Sequence, residues 1–324
     1  MSASIWVLVE QWRGQVSEIT YEVLALGREL ADGLGVPLQA VLLGHNAKAL
    51  ADSLGKANSV LYADHPALVE PTPEACTIAL AQLLGERQPE ALLIPLTNVT
   101  LGIGSLVSAA VGVPVINFCK QVSVVSGGLQ AQCVLYGGKI EAVVKAKQKP
   151  ALFGIWPGAR TPDQGRATSA PQVETVGVAF PRDPCVRLKR YVEPEAGDVD
   201  VTKQNVLVSV GRGIQSRDNL ELAEELAETL GGAVCGSRPV IDQGWLPLTR
   251  QIGKSGLTVK PKLYLAAGIS GAPEHVEGIK GADLIVAINS DPRAPIFDVA
   301  HYGVVGDALD VLPALTEAVR ARKG

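Results

Sequence analysis

The sequence is poor in aromatic residues and cysteine and has no excess of positive charge. Of its 324 residues, 4% are aromatic, 29 are lysine or arginine and 33 are aspartate or glutamate, which gives a formal net charge of −4. Proteins that bind nucleic acid through a broad surface need clustered positive charge to displace counterions. The charge balance therefore argues against a nucleic-acid-binding protein.

The five cysteines are too scattered to form a metal site or a disulfide framework. No Cys-x-x-Cys pair occurs among them. Their positions are Cys76, Cys119, Cys133, Cys185 and Cys235. This pattern predicts small buried thiols in a reducing compartment. The first residues also lack the basic segment and cleavage site of a secretory signal. We therefore expect a cytoplasmic protein without a metal centre.

One long stretch of the chain, residues 91–119, contains no charged residue. It is long enough to cross a bilayer. Two prolines and two asparagines interrupt it. These interruptions favour a buried strand, a short apolar helix near residues 101–111 and a second strand over one membrane helix. We expect no membrane span.

Length and composition favour two α/β domains. The chain is about two domains long at roughly 150 residues each, and 47% of its residues are hydrophobic. In the first part, short apolar strands alternate with helical patterns, which predicts a parallel sheet. Residues 121–125, 130–136 and 140–145 are separated by glycine-containing turns, which predicts antiparallel hairpins. We predict a three-layer, nucleotide-binding-like α/β domain with an antiparallel extension over residues 1–197.

Residues 198–324 are predicted to form a second domain, a doubly wound parallel sheet. Polar side chains follow the predicted strands at their carboxyl ends. They are Arg212, Ser237, Arg238, Ser270, His275, Asn289 and Asp307. Ligands of open α/β sheets bind at this edge, and a glycine-rich turn that opens a helix can hold a phosphate. The pattern therefore predicts a phosphorylated ligand of the dinucleotide type.

Two glycine-containing turns of this domain depart from known motifs. Gly211-Arg212-Gly213 is not the GxGxxG fingerprint because position 216 is serine. An ordinary turn with a solvated arginine therefore stays open as an alternative. The turn at residues 268–272 is not a GxSxG nucleophile motif because position 272 is alanine. We interpret Ser270 as part of a phosphate-binding turn and predict no catalytic residue.

Six stretches of the second domain carry a resemblance to a known family. They are residues 211–213, 236–238, 251–256, 262–275, 285–297 and 302–307. In these stretches the sequence resembles the electron transfer flavoprotein alpha subunit, with the same order and spacing. The resemblance covers essentially all of the second domain, whereas the first domain agrees in its order of strands and helices more than in its sequence.

The resemblance implies one FAD, held mainly by the second domain. Arg238 is expected against the isoalloxazine ring, with Ser255 near N5 and His275 near the C2 carbonyl oxygen. Ser270 and Asn289 are expected at the pyrophosphate region, and Asp307 at the adenosine end. The full set implied to bind FAD is Arg212, Ser237, Arg238, Ile252, Gly253, Lys254, Ser255, Ser270, Gly271, Ala272, Pro273, Glu274, His275, Asn289, Asp307 and Ala308.

Three departures from the family pattern accompany this resemblance. Pro273 and Glu274 stand where the family has an apolar residue and glutamine, which puts a side-chain contact from position 274 in doubt. Ser290 stands where relatives often have lysine, which removes a phosphate partner. An uncharged helix at residues 105–110 replaces a segment that is often basic, so the partner-facing surface is expected to differ.

The function implied by the resemblance is that of an electron carrier rather than a self-sufficient enzyme. It implies a beta subunit as obligate partner, docked mainly on the first domain. Flavin dehydrogenases are the implied donors, and a quinone reductase or another protein is the acceptor. Electron bifurcation, which needs a second flavin in the beta subunit, stays open. The alternative from a different class is a nucleotide-binding structural or sensing subunit without redox activity.

Overall fold

The computed structural model describes residues 3–126, 128–136, 139–167, 169–191 and 199–323. It divides into two compact units, Met1–Tyr191 and Val192–Gly324. The predicted domain boundary between residues 197 and 198 lies outside the described residues, so that boundary stays a prediction.

The first unit alternates strands and helices before it turns to hairpins. Its helices are α1 (Glu18–Leu34), α2 (Pro73–Arg87), α3 (Ile103–Val111) and the single turn α4 (Pro162–Gly165). Its strands are β1 (Ile5–Leu8), β2 (Gln11–Trp12), β3 (Gln15–Val16), β4 (Leu38–Gly44), β5 (Ser59–Asp64), β6 (Ala91–Pro95), β7 (Val115–Val125), β8 (Gly128–Leu135), β9 (Ile140–Lys145), β10 (Ala151–Ile155) and β11 (Gln172–Val176).

The main sheet of this unit has the strand order β11-β5-β4-β1-β6-β10-β7-β8-β9. Neighbours from β11 to β7 are parallel, whereas β7, β8 and β9 pair antiparallel. The predicted parallel sheet with an antiparallel extension is confirmed. Strand β10 had no counterpart in the sequence analysis. It follows the hairpins in the chain but inserts between β6 and β7.

Helices cover both faces of this sheet because residues on its central strands alternate between two cores. In β1, Ile5 and Val7 lie in the core that contains Leu24 of α1. Trp6 and Leu8 lie in the opposite core, which contains residues of α2 and α3. Successive side chains of a strand point to opposite faces, so this arrangement gives the predicted three layers.

The second unit is built on one parallel sheet of five strands. Its strands are β12 (Val206–Val210), β13 (Ala233–Gly236), β14 (Leu263–Ala267), β15 (Ile285–Asn289) and β16 (Tyr302–Val305). Its helices are α5 (Leu220–Leu230), α6 (Arg238–Asp242), α7 (Pro273–Glu277) and α8 (Ala308–Lys323). The order is β13-β12-β14-β15-β16, and every pair is parallel. This is a doubly wound order whose switch point lies between β12 and β14.

The cysteines follow the sequence prediction with one exception. Cys76, Cys119, Cys133 and Cys235 are buried and free. Cys185 is exposed, contrary to the prediction, because it lies in a segment without helix or strand between β11 and the end of the first unit.

Candidate cofactor-binding site

The residues predicted at strand ends lie along one edge of the second sheet. Four spacings of about 4.8 Å between neighbouring strands make this edge about 19 Å long. From one side to the other, the residues that follow the strands are Ser237 and Arg238 after β13, Arg212 after β12, Ser270 after β14, Asn289 at the end of β15, and Asp307 after β16. The strand order therefore arranges the predicted residues as a row.

At the switch point, two turns touch each other backbone to backbone. The Gly211 N–H donates to the Ala267 carbonyl at 2.8 Å, and the Gly213 N–H donates to the Gly268 carbonyl at 3.0 Å. A Cβ on Gly211 would lie 2.3 Å from the Gly268 oxygen, and one on Gly213 would lie 2.6 Å from the Gly268 Cα. The glycines of the first turn are therefore required by close packing against the turn after β14.

The predicted segments 252–255 and 272–275 come together beside this edge. The Lys254 N–H donates to the Glu274 carbonyl at 2.7 Å. Gly253 has a φ of +133°, and a Cβ there would lie 2.8 Å from the same oxygen. Gln251 Nε2 donates to Ser255 Oγ at 3.0 Å. Glu274 thus contributes its backbone to the junction, so the departure at this position leaves the turn intact.

Gln251 is a buried polar residue that the sequence analysis left without a role. It belongs to the stretch 251–256 that carries the family resemblance. Its place in that stretch is the sequence signal by which Gln251 could have been found. The hydrogen bond from Gln251 Nε2 to Ser255 Oγ orients the Ser255 hydroxyl.

The turn after β14 leads into a helix of only five residues, α7. Its first residue, Pro273, has no N–H group. The dipole of so short a helix adds little to anion binding. Gly271 has a φ of +86°, and a Cβ there would lie 2.2 Å from the Ile296 nitrogen. A bound phosphate at this turn would therefore depend on its backbone and on Ser270 rather than on a long helix.

Asn289 and Asp307 have structural partners at the other end of the row. Asn289 Nδ2 donates to the Ile269 carbonyl at 2.8 Å, which joins the end of β15 to the turn after β14. Asp307 Oδ1 accepts the Leu309 N–H at 2.9 Å and caps α8. Its Oδ2 accepts Gln215 Nε2 at 3.3 Å. Each side chain therefore supports the edge, and Ala308, the first residue of α8, is buried behind it.

The residues after β12 and β13 differ in their exposure. Arg212 is exposed, whereas Ser237 is buried and its N–H donates to the Val210 carbonyl at 3.0 Å. The Arg238 side chain is 69% exposed, with Nε 3.3 Å from Asp242 Oδ2. An exposed guanidinium remains fully charged, so this end of the row carries positive charge facing solvent.

His275 is buried, unlike most of the row. Its Nε2 lies 2.9 Å from the hydroxyl oxygen of Tyr264 in β14. Its Nδ1 is buried and has no hydrogen-bond partner among the described residues. Burial lowers the pKa of His275 to about 4, against a smaller opposing effect of the Ile252 backbone. The ring is therefore neutral at pH 7, with one nitrogen left for a further partner.

Comparisons with known families cover both units. The model described as "Electron transfer flavoprotein domain" matches residues 5–181, and "Electron transfer flavoprotein FAD-binding domain" matches residues 200–280. The chain belongs to the electron transfer flavoprotein alpha-subunit family. FAD is therefore its cofactor. The FAD-binding match contains the predicted residues from Arg212 to His275, whereas Asn289, Asp307 and Ala308 lie beyond it.

Full-length relatives agree with this membership. Protein FixB of Clostridium saccharobutylicum is 36% identical, over 96% of this chain and 94% of the relative. An electron transfer flavoprotein subunit alpha of Clostridium acetobutylicum is 34% identical, over 98% and 97%. An acryloyl-CoA reductase electron transfer subunit beta of Anaerotignum propionicum is 33% identical, over 98% and 96%. The family resemblance drawn from the sequence is confirmed.

The described residues of this flavoprotein subunit contain neither a membrane-spanning helix nor a cluster of metal-ligating side chains. Across the described ranges, no helix combines the length and apolar character needed to cross a membrane. Within the same residues, no group of three or more histidine, cysteine, aspartate or glutamate side chains is arranged to hold a metal ion.

Proposed function

We propose that FAD lies along the carboxyl edge of the second sheet, with its isoalloxazine ring towards Arg238 and its adenosine towards Asp307. The observation that carries this proposal is the lateral order of the strands. The family resemblance assigns Arg238 to the ring, Ser270 and Asn289 to the pyrophosphate, and Asp307 to the adenosine. The strand order β13-β12-β14-β15-β16 sets these residues in that sequence across the edge.

Two further features fit a bound dinucleotide at this edge. The glycines at positions 211, 213 and 268 let the turns after β12 and β14 pack backbone to backbone, which brings both turns to the switch point of the sheet, where dinucleotides bind. The buried Nδ1 of His275 has no hydrogen-bond partner in the described part of the chain, which fits a nitrogen that contacts the cofactor. The proposed set also includes Arg212, Ser237, residues 252–255 and residues 271–274.

The chain's residues would bind and tune the cofactor rather than break a substrate bond. FAD, when bound, takes up and releases electrons at its isoalloxazine ring. Arg238 carries a permanent positive charge, which favours the negative charge that the ring gains on reduction. Ser255 and His275 would supply hydrogen bonds to the same ring. The chain therefore acts as a carrier of electrons between other proteins.

The proposed partner is an electron transfer flavoprotein beta subunit docked on the first unit, in the cytoplasm. Strand β9 is an edge of the first sheet and exposes apolar side chains at Ile140 and Val143. An exposed apolar edge strand is a surface that proteins normally cover. The proposed donors are flavin dehydrogenases, and a quinone reductase or another protein is the acceptor.

Purification of the full chain together with its beta subunit tests this function. We expect yellow protein with flavin absorbance, and the number of flavins per heterodimer separates a simple carrier with one FAD from a bifurcating complex with two. A heterodimer that stays colourless after addition of FAD would contradict the proposal and favour a nucleotide-sensing or structural subunit.

A matched pair of variants tests the docking surface. Val143→Lys is expected to weaken the heterodimer by placing a charge on the apolar edge. Val69→Lys, at an equally exposed valine of the same unit (62% against 64%), is the control. Analytical ultracentrifugation measures assembly, and equal assembly by the two variants would rule out this surface.

A further inference from the structure

The side chain of His275 has a hydrogen-bond partner at Nε2 and, among the described residues, none of good geometry at Nδ1, although the Ile252 backbone opposes part of the fall in its pKa. The residue is 6% exposed, its Nε2 lies 2.9 Å from the Tyr264 hydroxyl, and its Nδ1 has no partner among the described residues. Leaving a buried polar atom unpaired costs free energy. A ligand atom at Nδ1 would remove this cost. The contact between Tyr264 and Nε2 therefore fixes the orientation of the imidazole and leaves Nδ1 for a ligand.

The protonation states of the two rings limit how this contact can be made. Burial raises the pKa of Tyr264 well above its ordinary value, so its hydroxyl keeps its proton. Burial lowers the pKa of His275 to about 4, so the imidazole is neutral at pH 7 and carries one proton. Either the tyrosine donates to a bare Nε2 while Nδ1 carries the proton, or an Nε2–H donates to the tyrosine oxygen.

The groups behind the tyrosine favour the first arrangement. Ser209 of β12 and Cys235 of β13 are fully buried and interact with the Tyr264 hydroxyl. Burial raises the pKa of Cys235 to about 12, so its thiol keeps its proton. Ser209 lowers the pKa of Tyr264, as a hydroxyl that donates to the tyrosine oxygen does, whereas Cys235 raises it and is not such a donor. With the Ser209 hydroxyl as a donor at its oxygen, the tyrosine can direct its own proton to Nε2.

We propose that Tyr264 is a positioning residue that holds His275 as the tautomer protonated at Nδ1 and so presents an N–H donor to FAD. The hydrogen bond made by one imidazole nitrogen decides which nitrogen carries the proton. An N–H donor beside the ring favours the negative charge gained on reduction, and hydrogen bonds to a flavin are one way in which a protein tunes it. This inference rests on the proposed function, in which His275 contacts FAD.

The tautomer can be measured without any electron transfer. Imidazole ¹⁵N chemical shifts of the FAD-free heterodimer, with only this chain labelled and with His275→Gln to identify the signal among its four histidines, are expected to show a protonated Nδ1 and a bare Nε2. Tyr264→Phe, which removes only the hydroxyl, is expected to abolish this preference. A protonated Nε2 in the unmodified protein, or unchanged shifts in Tyr264→Phe, would overturn the proposal.

Two further variants supply a control and a second test for this measurement. Tyr62→Phe makes the same chemical change in the first unit, at a tyrosine that is also buried and accepts the Ala47 N–H at 2.8 Å; it is expected to leave His275 unchanged. Ser209→Ala keeps both rings and removes one donor behind the tyrosine. It is expected to shift the tautomer ratio in the same direction as Tyr264→Phe, and it decides the question if that variant does not fold.

A second readout concerns the cofactor itself. Tyr264→Phe is expected to bind oxidised FAD normally but to lose about tenfold in preference for the reduced form, which equals about 59 mV for a one-electron couple. An altered tautomer with an unchanged potential would overturn the role of Tyr264 towards FAD. A heterodimer that binds no FAD would instead overturn the proposed function, and the nitrogen shifts would still decide whether Tyr264 sets the His275 tautomer.

Discussion

Acidification is expected to weaken the second unit through His275. Burial lowers the pKa of this residue from 6.5 to about 4. As the pH falls below about 6.5, the unfolded chain takes up a proton on this ring, whereas the folded protein does so only near pH 4. Between these values the unfolded state binds more protons, so the stabilisation is fully present above pH 6.5 and is lost as the pH falls towards 4.

The size of this effect follows from the two pKa values. One pKa unit corresponds to about 1.4 kcal/mol, so the full contribution of His275 to the free energy of unfolding is about 3 kcal/mol. Between pH 7 and pH 5, the linkage relation gives a loss of about 2 kcal/mol. This loss is a large fraction of the stability of a domain, which is typically about 5–15 kcal/mol.

Urea unfolding of the FAD-free chain at pH 7 and pH 5 measures the loss. Trp245 is the single tryptophan after residue 191. In ¹⁹F NMR of the 5-fluorotryptophan-labelled chain, the resonance of Trp245 therefore reports the unfolding of the second unit alone. Unmodified protein is expected to lose about 2 kcal/mol more than His275→Gln between the two pH values. His65→Gln in the first unit is the control. Equal losses in unmodified protein and His275→Gln would refute the reasoning.

The remaining predictions concern packing and charge at the same edge. Gly211→Ala is expected to destabilise the second unit by about 1–3 kcal/mol, because the new Cβ would lie 2.3 Å from the Gly268 oxygen. In thermal unfolding, Gly85→Ala, a helical position with open space, is expected to be neutral or stabilising, and similar behaviour of the two variants would contradict the packing argument. Arg238→Ala is expected to retain FAD but lower its reduction potential in a reductive titration. Arg320→Ala, another exposed ion-paired arginine, should not change the potential, and an unchanged value in Arg238→Ala would remove that residue from the ring.

Local sequence was enough to predict the strands of the second unit and its class of ligand, but not the short helix α6. Short apolar runs that end at glycine or polar residues predicted strands close to β12, β13, β14, β15 and β16, because side-chain periodicity and turn chemistry act over a few residues. Polar residues directly after those strands predicted a site at the carboxyl edge. The resemblance of residues 211–307 to a known family indicated the family, and membership of that family implied FAD.

Only the tertiary structure decided how these elements and side chains meet. The insertion of β10 between β6 and β7, and the order β13-β12-β14-β15-β16, depend on hydrogen bonds between strands distant in the chain, which spacing along the sequence does not encode. The contact of His275 with Tyr264 depends on burial against the sheet, and burial sets the pKa of both groups. Asp307 could be placed at a strand end from sequence, but its capping of α8 and its contact with Gln215 arise from packing between separate elements. Chemistry carried by a residue type can be predicted from the sequence, whereas its partner and protonation state depend on which distant atoms the fold brings beside it.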